Sequence, residues 1–530
     1  MNWLVFLGAL IAAGSLNAHA DNQSFFSCRN QDGMPLHQFE EAIVQVLVTN
    51  AKYDICRPFS VPKESQSSGS AFFIDPILVN NQDGYLLTNF HVIQNARFVE
   101  IQVPSSRSGK ERFAVSIESI YPERDLALIA LVPAALDRLK SLIGSIPYLS
   151  LGSSQVVQRG DLVAAFGYPL GQEGLKLTRG IISGRERLHE QGEIYLQIDA
   201  AVNRGNSGGP SLNQSGEVIG INTCAPHPEY HPGVQNIAYI IPIDDVRPLL
   251  PVMMKQRRLY TPFWGIRLSN GSKNISQLFN VDDGFGAYIA SVHPEGILYK
   301  NGVRSGMILK KINGYVVDYY GELIVPWSLD KISALDFLNC FEHGALIELE
   351  LVSYEKSLHV YFEREPFSFF QQPGALSSQL IYPCHEIERI DYEAIAGMVF
   401  MECTINHMRH FSLSGRNSLH AQEDGIVTAR DPSPANEDAY VILSSILPST
   451  IASAFRSLRS GMIVININGI RVTTLADVRK ALLRSKETGL LIVGLADGSL
   501  MVSEMSQIAQ SEQGLINYYH YKPSIVFTTT

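Results

Sequence analysis

The sequence predicts a mostly β protein in which a double β-barrel precedes two smaller α+β domains. Short apolar strands separated by glycine-rich turns recur between residues 43 and 241, a spacing typical of β-barrels. Helical periodicity is scarce before residue 244. The second half of the chain then contains a repeat: residues 302–314 and 458–469 share the segments Arg-Ser-Gly-Met-Ile and Ile-Asn-Gly, which indicates two copies of one unit.

Length and charge limit the number of domains and the kinds of binding partner that are expected. A chain of 530 residues exceeds one hydrophobic core, and about three domains are expected. Its formal net charge of −10 comes from 42 basic and 52 acidic residues without a polybasic run. This distribution argues against nucleic acid or an anionic membrane as the main partner.

The N-terminus resembles a secretory signal peptide. An apolar run over residues 4–16 precedes Ala18-His19-Ala20, a small-x-small pattern that predicts cleavage after residue 20. The region before the run carries no Lys or Arg, and an uncleaved anchor is the alternative interpretation. The run is short for a membrane span, and no other segment suggests one. We therefore expect an exported protein, located in the periplasm if the host is a diderm bacterium.

Six cysteines are too few for a disulfide scaffold in a chain of this length. Cys28 and Cys56 could pair near the start of the mature chain, but the sequence does not decide this. The other four cysteines are interpreted as buried thiols.

The first domain is expected over residues 35–258. Its predicted strands, each bounded by turn-forming residues, are 43–48, 69–74, 84–88, 98–103, 113–120, 126–131, 162–166, 180–183, 194–198, 216–222 and 237–241. A Pro/Ser-rich loop is expected over 57–68, and a helix over 244–259 is expected to close the domain.

Two related units follow. The first, residues 261–364, contains an amphipathic helix over 329–341 whose apolar positions are Ile332, Leu335, Phe337 and Leu338. The second, residues 392–504, contains a helix over 475–485 with Thr474 as its predicted N-cap. Residues 365–391 are a linker rich in Phe, Pro and Gln. The tail, 505–530, either docks or frays.

Three residues of the first domain predict nucleophilic catalysis. Ser207 lies among glycines after an apolar strand, where Gly205 allows backbone N–H groups to face a reacting carbonyl. His91 follows one apolar strand and Asp125 opens another. In this arrangement His91 would take the Ser207 proton and Asp125 would orient the imidazole. Asp199, just before this loop, is interpreted as structural.

Several motifs carry a resemblance to the HtrA/Deg serine proteases. They are Gly69-Ser70-Ala71, the segment from Thr88 to Ile93, Asp125 to Ile129, Gly167 to Gly171 and Gln197 to Pro210. In this family a chymotrypsin-like double β-barrel precedes one or two PDZ domains, which matches the layout predicted here. The second repeat unit, with Ala396 to Phe400 at its start, resembles the divergent PDZ domain of the plant-type Deg subgroup.

The resemblance implies ATP-independent cleavage of unfolded or damaged proteins by a homo-oligomer, a trimer or a multiple of one, without a cofactor. The implied oxyanion hole comprises Gly205, Asn206 and Ser207, within an activation loop over 201–206. Regulatory loops would fall at 172–179 and 223–234. The alternative is a proteolytically silent PDZ-containing chaperone that binds unfolded polypeptides; the complete triad favours the protease.

The first PDZ-like unit is implied to bind peptide C-termini. Its carboxylate-binding loop would be Phe263, Trp264, Gly265 and Ile266, with the helix over 329–341 as the other wall of the groove. Met307 stands where the family commonly has an aspartate. The second unit lacks a recognisable carboxylate loop, which leaves a packing or assembly role open beside peptide binding.

Two further patterns are a Cys/His spacing that resembles a metal site and an aromatic pair near the N-terminus. Cys224, His227 and His231 have a spacing that could suit a metal, but three candidate ligands in a proline-rich loop fall short of a closed zinc site, so no metal is expected. Phe25 and Phe26 could anchor a trimer, as aromatic N-termini do in the family, or belong to a loosely ordered segment.

Overall fold

The fold is described from a computed structural model. It describes residues 40–104, 110–187, 194–224, 236–281, 285–294, 296–326, 331–341, 344–354, 356–364, 390–413 and 440–528. The chain forms two compact units. One comprises residues 1–50 and 66–370, and the other comprises residues 51–65 and 371–530. The predicted signal segment, Phe25, Phe26, Cys28 and linker residues 365–389 lie outside the described residues.

The first barrel closes in the strand order β1-β2-β3-β6-β5-β4. Its strands are β1 (Ile43–Lys52), β2 (Lys63–Phe73), β3 (Tyr85–Thr88), β4 (Ala96–Gln102), β5 (Arg112–Tyr121) and β6 (Leu126–Leu131). Helix α1 (Phe90–Ile93) follows β3, and α2 (Pro133–Ile143) follows β6. Every residue of β6 is buried.

The second barrel closes in the order β10-β11-β12-β9-β8-β7. Its strands are β7 (Leu162–Gly167), β8 (Lys176–Arg187), β9 (Ile194–Ile198), β10 (Pro210–Leu212), β11 (Val218–Cys224) and β12 (Ala238–Pro242). Side chains of both barrels share one core, which includes Leu87 and Leu128 from the first barrel and Phe166 and Ile241 from the second. Burying each such side chain contributes about 1.5–3 kcal/mol, and the shared core brings the strand ends of the two barrels together.

These barrels confirm the predicted mostly β class, but several boundaries differ. The helix expected over 244–259 is instead α3 (Ile243–Val246), a 3-10 turn over Arg247–Leu249, and α4 (Leu250–Met253). Pro248 and Pro251 lack the backbone N–H that a continuous helix needs. Strand β2 begins inside the loop expected over 57–68, and β8 begins inside the loop expected over 172–179.

The first PDZ-like unit follows the two barrels, and we call it the third domain. It is a sheet ordered β13-β14-β15-β19-β20, with β16 paired to β15. Its elements are β13 (Ile266–Ser269), α5 (Lys273–Leu278), β14 (Ala287–Val292), α6 (Ile297–Lys300), β15 (Ile308–Ile312), β16 (Tyr315–Val316), β17 (Glu322–Leu323), β18 (Ile332–Ser333), α7 (Ala334–Asn339), β19 (Leu346–Ser353) and β20 (Lys356–Glu363). Helix α7 begins later than predicted because Ser333 caps it by accepting the N–H of Asp336.

The C-terminal domain is a sheet ordered β21-β22-β23-β24-β26-β27, with β25 paired to β24. Its elements are β21 (Glu393–Ile395), β22 (Met398–Glu402), α8 (Ile405–Leu413), β23 (Val441–Ile446), α9 (Ile451–Ala454), β24 (Ile463–Ile467), β25 (Ile470–Arg471), α10 (Leu475–Thr488), β26 (Leu490–Leu495), β27 (Leu500–Glu504), α11 (Met505–Tyr519) and α12 (Ile525–Thr528). Thr474 caps α10 as predicted. The tail docks, because Ile508 and Val526 lie in the core.

The sequence repeat encodes the same turn twice. Asn313 and Gly314 have φ of 45° and 81° and join β15 to β16. Asn468 and Gly469, with φ of 50° and 77°, join β24 to β25. An Asn-Gly pair with both φ values positive is the preferred two-residue hairpin turn. The shared Ile-Asn-Gly segment therefore specifies one hairpin in each PDZ-like domain.

In the part of the chain that the structure describes, no helix is both long enough and apolar enough to cross a membrane.

Candidate active site

The first barrel places His91 and Asp125 side by side. His91 lies in α1, just after β3, and Asp125 immediately precedes β6, which pairs with β3. Asp125 Oδ2 lies 2.7 Å from His91 Nδ1, and Asp125 Oδ1 accepts the backbone N–H of His91 at 2.8 Å. The Asp125 carboxylate thus binds both the ring and the backbone N–H of His91. The imidazole therefore has a defined orientation, with Nδ1 toward the acid.

Ser207 and Asp125 are linked through Thr223, at the end of β11. The Thr223 hydroxyl donates to Asp125 Oδ2 at 2.6 Å. The Thr223 carbonyl accepts the Ser207 hydroxyl at 2.9 Å. A hydroxyl has one proton to donate, so in this conformation the Ser207 proton is directed to Thr223. Thr223 was not predicted as a site residue, since no motif or spacing marks a threonine at a strand end.

The environment of His91 sets its basicity. Burial of the ring lowers its pKa, whereas the hydrogen bond and the negative charge of Asp125 raise it. The net effect is a pKa above the ordinary histidine value. The His91 side chain is still 45% exposed, so solvent and substrate can reach the ring. A neutral imidazole in this position has the properties of a general base.

Glycines shape the loop around Ser207. Gly205 has a φ of +103°, and a Cβ there would lie 2.2 Å from the carbonyl oxygen of Tyr168. Gly208 has a φ of +84°, and its Cβ would lie 2.2 Å from the carbonyl oxygen of Ser70. Any larger residue would therefore meet both backbone strain and a steric clash.

Ser70, in β2, fastens this loop to the first barrel. Its N–H donates to the carbonyl of Ser207 at 2.8 Å, and its hydroxyl donates to the carbonyl of Gly205 at 2.7 Å. The same hydroxyl accepts the N–H of Tyr168 at 2.9 Å. One buried serine thus connects the nucleophile loop to both barrels.

The loop leaves two backbone donors available beside Ser207. The Arg204 carbonyl accepts the N–H of Leu170 at 2.7 Å. Because the C=O and N–H of a trans peptide point in opposite directions, the Gly205 N–H points away from Leu170. Among the described residues, no acceptor takes up the N–H of Gly205 or of Ser207. The Asn206 N–H donates to Asn203 at 2.9 Å, so it is not available to the oxyanion hole expected over these three residues.

Two further sequence predictions concern Asp199 and the candidate metal ligands of residues 224–231. The Asp199 carboxylate accepts the N–H of Ile181 at 2.6 Å, which ties the segment before the nucleophile to β8. Of the loop expected over 223–234, the described residues include only 223 and 224, so His227, His231 and the Cys224 side chain lie outside them. Within the described ranges, no group of three His, Cys, Asp or Glu side chains could hold a metal.

The predicted carboxylate loop of the third domain makes close contacts with its surroundings. Trp264 is 6% exposed, and its indole N–H donates to Asn339 Oδ1 at the end of α7, at 2.8 Å. Gly265 has a φ of +69°, and a Cβ there would lie 2.6 Å from Gly296 Cα. Ile266 then opens β13, whose described partner is β14 alone. Its outer edge is therefore open to an added strand, beside Phe263. Met307 is half-buried against this core.

The corresponding edge in the C-terminal domain is covered. Strand β22 occupies the position of β13 in the repeat, and β21 pairs with its outer edge. The N–H of Ala396 donates to the buried carboxylate of Glu512 at 3.0 Å. Tyr521 donates to the other oxygen of Glu512 at 2.8 Å. Strand β21 therefore occupies the edge of β22 to which a peptide would add, and Glu512 occupies the N–H of Ala396, a backbone donor that a peptide would use.

Comparison with protein families gives two matches. Residues 69–221 match the model described as a trypsin-like peptidase domain. Residues 383–523 match the model described as a PDZ domain. The second match includes helix α11 of the docked tail.

The chain is similar to several curated relatives and to solved structures. The chain is 30% identical over 347 residues to a "Probable periplasmic serine protease do/HhoA-like" of Haemophilus influenzae, covering 60% of this chain and 71% of the relative. It is 33% identical over 279 residues to the "Periplasmic pH-dependent serine endoprotease DegQ" of Escherichia coli, covering 52% of this chain and 58% of the relative. The solved "HtrA-type protease AlgW with decapeptide" aligns with a TM-score of 0.45 and 21% identity, over 61% of this chain and 95% of that one.

A trypsin-like peptidase domain followed by a PDZ domain defines a class of serine endoproteases. Within that class, the chain belongs to the HtrA/Deg family.

Proposed function

We propose that this chain is an ATP-independent endoprotease that degrades unfolded or damaged exported proteins, with His91, Asp125 and Ser207 as its catalytic triad. The observation that carries the proposal is the hydrogen-bonded series from His91 through Asp125 and Thr223 to Ser207. A hydrogen-bonded series of this kind supports the roles of base for His91, orienting acid for Asp125 and nucleophile for Ser207. That combination suits acyl transfer to a serine.

The proposed reaction begins with rotation of the Ser207 hydroxyl from the Thr223 carbonyl toward His91 Nε2. His91 takes the proton as Ser207 Oγ attacks the scissile carbonyl, and Asp125 stabilises the imidazolium. The N–H groups of Gly205 and Ser207 stabilise the tetrahedral oxyanion. His91 then gives its proton to the leaving amine, and water hydrolyses the acyl-enzyme by the reverse sequence of proton transfers.

Substrate capture is assigned to the third domain. A peptide with an apolar C-terminus would add as a strand to the open edge of β13, with its carboxylate at the loop of Phe263, Trp264, Gly265 and Ile266. The covered edge of β22 favours a packing role for the C-terminal domain. DegQ is named as periplasmic, and together with the signal-like N-terminus this supports export to the periplasm. A homo-oligomer, a trimer or a multiple of one, completes the proposal.

Two parallel incubations distinguish the protease from a silent chaperone. The mature protein and the variant Ser207→Ala are incubated with casein and, separately, with a fluorophosphonate. We expect the unaltered protein to cleave casein and to be labelled at Ser207, and the variant to do neither. If neither protein cleaves casein and no label appears, while both suppress aggregation of an unfolded substrate, the chaperone is correct instead.

A further inference from the structure

The connection between β1 and β2, residues 53–62, belongs to the compact unit formed by the C-terminal residues. We call this segment the strap. Its two neighbours in sequence are strands of the first barrel, in the other unit. A long connection at the surface normally ranks among the most mobile parts of a domain. The strap instead has specific partners in the C-terminal domain.

Two buried side chains bind successive carbonyls of the strap. His407 Nε2 lies 3.1 Å from the carbonyl oxygen of Ile55, and Ser444 Oγ donates to the carbonyl of Cys56 at 2.9 Å. His407 and Ser444 are 0% and 1% exposed. Because a carbonyl only accepts, Nε2 of His407 must carry the proton. Its Nδ1 accepts the backbone N–H of Thr404 at 3.2 Å, and therefore also accepts the Thr404 hydroxyl at 2.8 Å.

Apolar contacts surround these hydrogen bonds. Cys56 packs in a cluster with Cys403, Phe411 and Ile442. The ring of Phe59 lies 5.4 Å from that of Tyr392 and 5.6 Å from that of Tyr521, measured between centroids. These spacings are typical of favourable tilted aromatic pairs. The strap is thus held by an apolar anchor on each side of a turn.

The strap also organises its own backbone for this contact. The Asp54 carboxylate accepts the N–H groups of Cys56 and Arg57, at 3.0 and 3.1 Å. The N–H of Ser60 donates to the carbonyl of Arg57 at 2.9 Å. The backbone bonds of the turn use the carbonyls of Asp54 and Arg57, and the carbonyls of residues 55 and 56 accept from His407 and Ser444.

The far end of the strap leads directly to the nucleophile loop. It continues into β2 at Lys63, and β2 is buried from Gly69 onward. The next residue is Ser70, which holds the carbonyls of Gly205 and Ser207. A change in the position or mobility of residues 63–68 would therefore reach Ser70 along one strand.

We propose that the C-terminal domain is an internal receptor for the strap, and that docking of the strap steadies β2 and, through Ser70, the nucleophile loop. Regulation of the protease in this way rests on the proposed function, whereas docking itself does not. The C-terminal domain then acts on the protease by releasing and rebinding the strap, rather than by binding the C-terminus of a peptide.

Hydrogen exchange in the full-length protein tests the docking. Phe59→Ala removes an anchor from the strap, and Ser444→Ala removes a donor from the receptor. Val61→Ala is the matched control, since Val61 is in the strap and 85% exposed. We expect amides of residues 55–57, 59 and 60 to exchange at least about tenfold faster in both test variants than in the control, while β23 and β24 stay protected. Equally fast exchange in the unaltered protein and all variants would refute docking.

The same samples test the effect on the nucleophile loop. Asn206, Gly208 and Gly209 donate their N–H groups within the protein, so their exchange reports the order of this loop. We expect at least about threefold faster exchange there, and at least about threefold slower fluorophosphonate labelling, in Phe59→Ala and Ser444→Ala. A released strap with unchanged exchange at residues 206–209 would overturn the regulatory link. Absence of label from the unaltered protein would overturn the proposed function. The exchange of the strap and of residues 206–209 would still decide whether the strap docks and whether docking orders the nucleophile loop.

Discussion

Thr223 contacts two members of the triad at once, donating its hydroxyl to Asp125 and accepting the Ser207 hydroxyl at its carbonyl. The first bond stabilises the charge of the orienting acid. The second gives the nucleophile a hydrogen-bond partner that is not its base. The site therefore combines a set position for Asp125 with a Ser207 rotamer that must change before proton transfer to His91.

Thr223→Val tests the first bond, because valine preserves the shape and the backbone carbonyl but removes the donor. A hydrogen bond to a charged group is worth about 1.5–3 kcal/mol, so we expect kcat/KM to fall by about tenfold or more. Loss of the donor concentrates charge on Asp125, so the acid limb of the pH profile moves to higher pH. Thr223→Ser, which keeps the hydroxyl, is the control. A valine variant with the rate and pH profile of the serine variant would show that the bond is dispensable.

Asp125→Asn tests the origin of the His91 pKa. His91 is active as a base only when neutral, and Asp125 raises its pKa above the ordinary value. The unaltered protein should therefore lose activity as pH falls through a midpoint above about 6.5. In the variant we expect that midpoint to move to lower pH and the rate to fall by about 10⁴-fold. The pH dependence of kcat/KM measures both the midpoint and the rate. A midpoint that does not move would exclude Asp125 as the cause of the raised pKa of His91.

Gly205→Ala tests the shape of the nucleophile loop. The new Cβ would lie 2.2 Å from the Tyr168 carbonyl oxygen at a φ of +103°, so the Gly205 N–H must shift. We expect fluorophosphonate labelling to slow by about 10²-fold or more, the effect of losing one oxyanion donor. Gly160→Ala is the matched control, since Gly160 has a φ of +91° and no atom within 4 Å of its Cβ position. It should carry backbone strain alone and label normally; equal loss in both variants would contradict the prediction.

Peptide stoichiometry tests the assignment of the two PDZ-like domains. One edge, at β13, is open, and the other, at β22, is covered by β21. Titration of full-length Ser207→Ala with a peptide carrying an apolar C-terminus should give about one site per chain, and amidation of that terminus should weaken binding. Gly265→Ala should abolish binding, because its Cβ would meet Gly296 Cα at 2.6 Å. Two sites per chain, or binding that survives Gly265→Ala, would reject the assignment.

Local patterns predicted much of the barrel architecture. The strands Leu126–Leu131 and Ile194–Ile198 have the bounds expected from the sequence, since each is an apolar run bounded by polar or turn residues. The helix expected over 244–259 was wrong because apolar periodicity outweighed Pro248 and Pro251 in the prediction. The helix Pro133–Ile143 was not predicted, although Pro133 suits a first helical turn.

The sequence by itself determined the family motifs, the order of the domains and the two Asn-Gly hairpins, because these depend on residues that are neighbours along the chain. The tertiary structure alone decided the partners of Ser70, 135 residues from Gly205, and those of Thr223, 98 residues from Asp125. It also decided the docking of the strap, whose Cys56 lies 388 residues from Ser444. Such contacts arise from the packing of whole domains, in which many residues of similar chemistry could have met, and no local pattern selects among them.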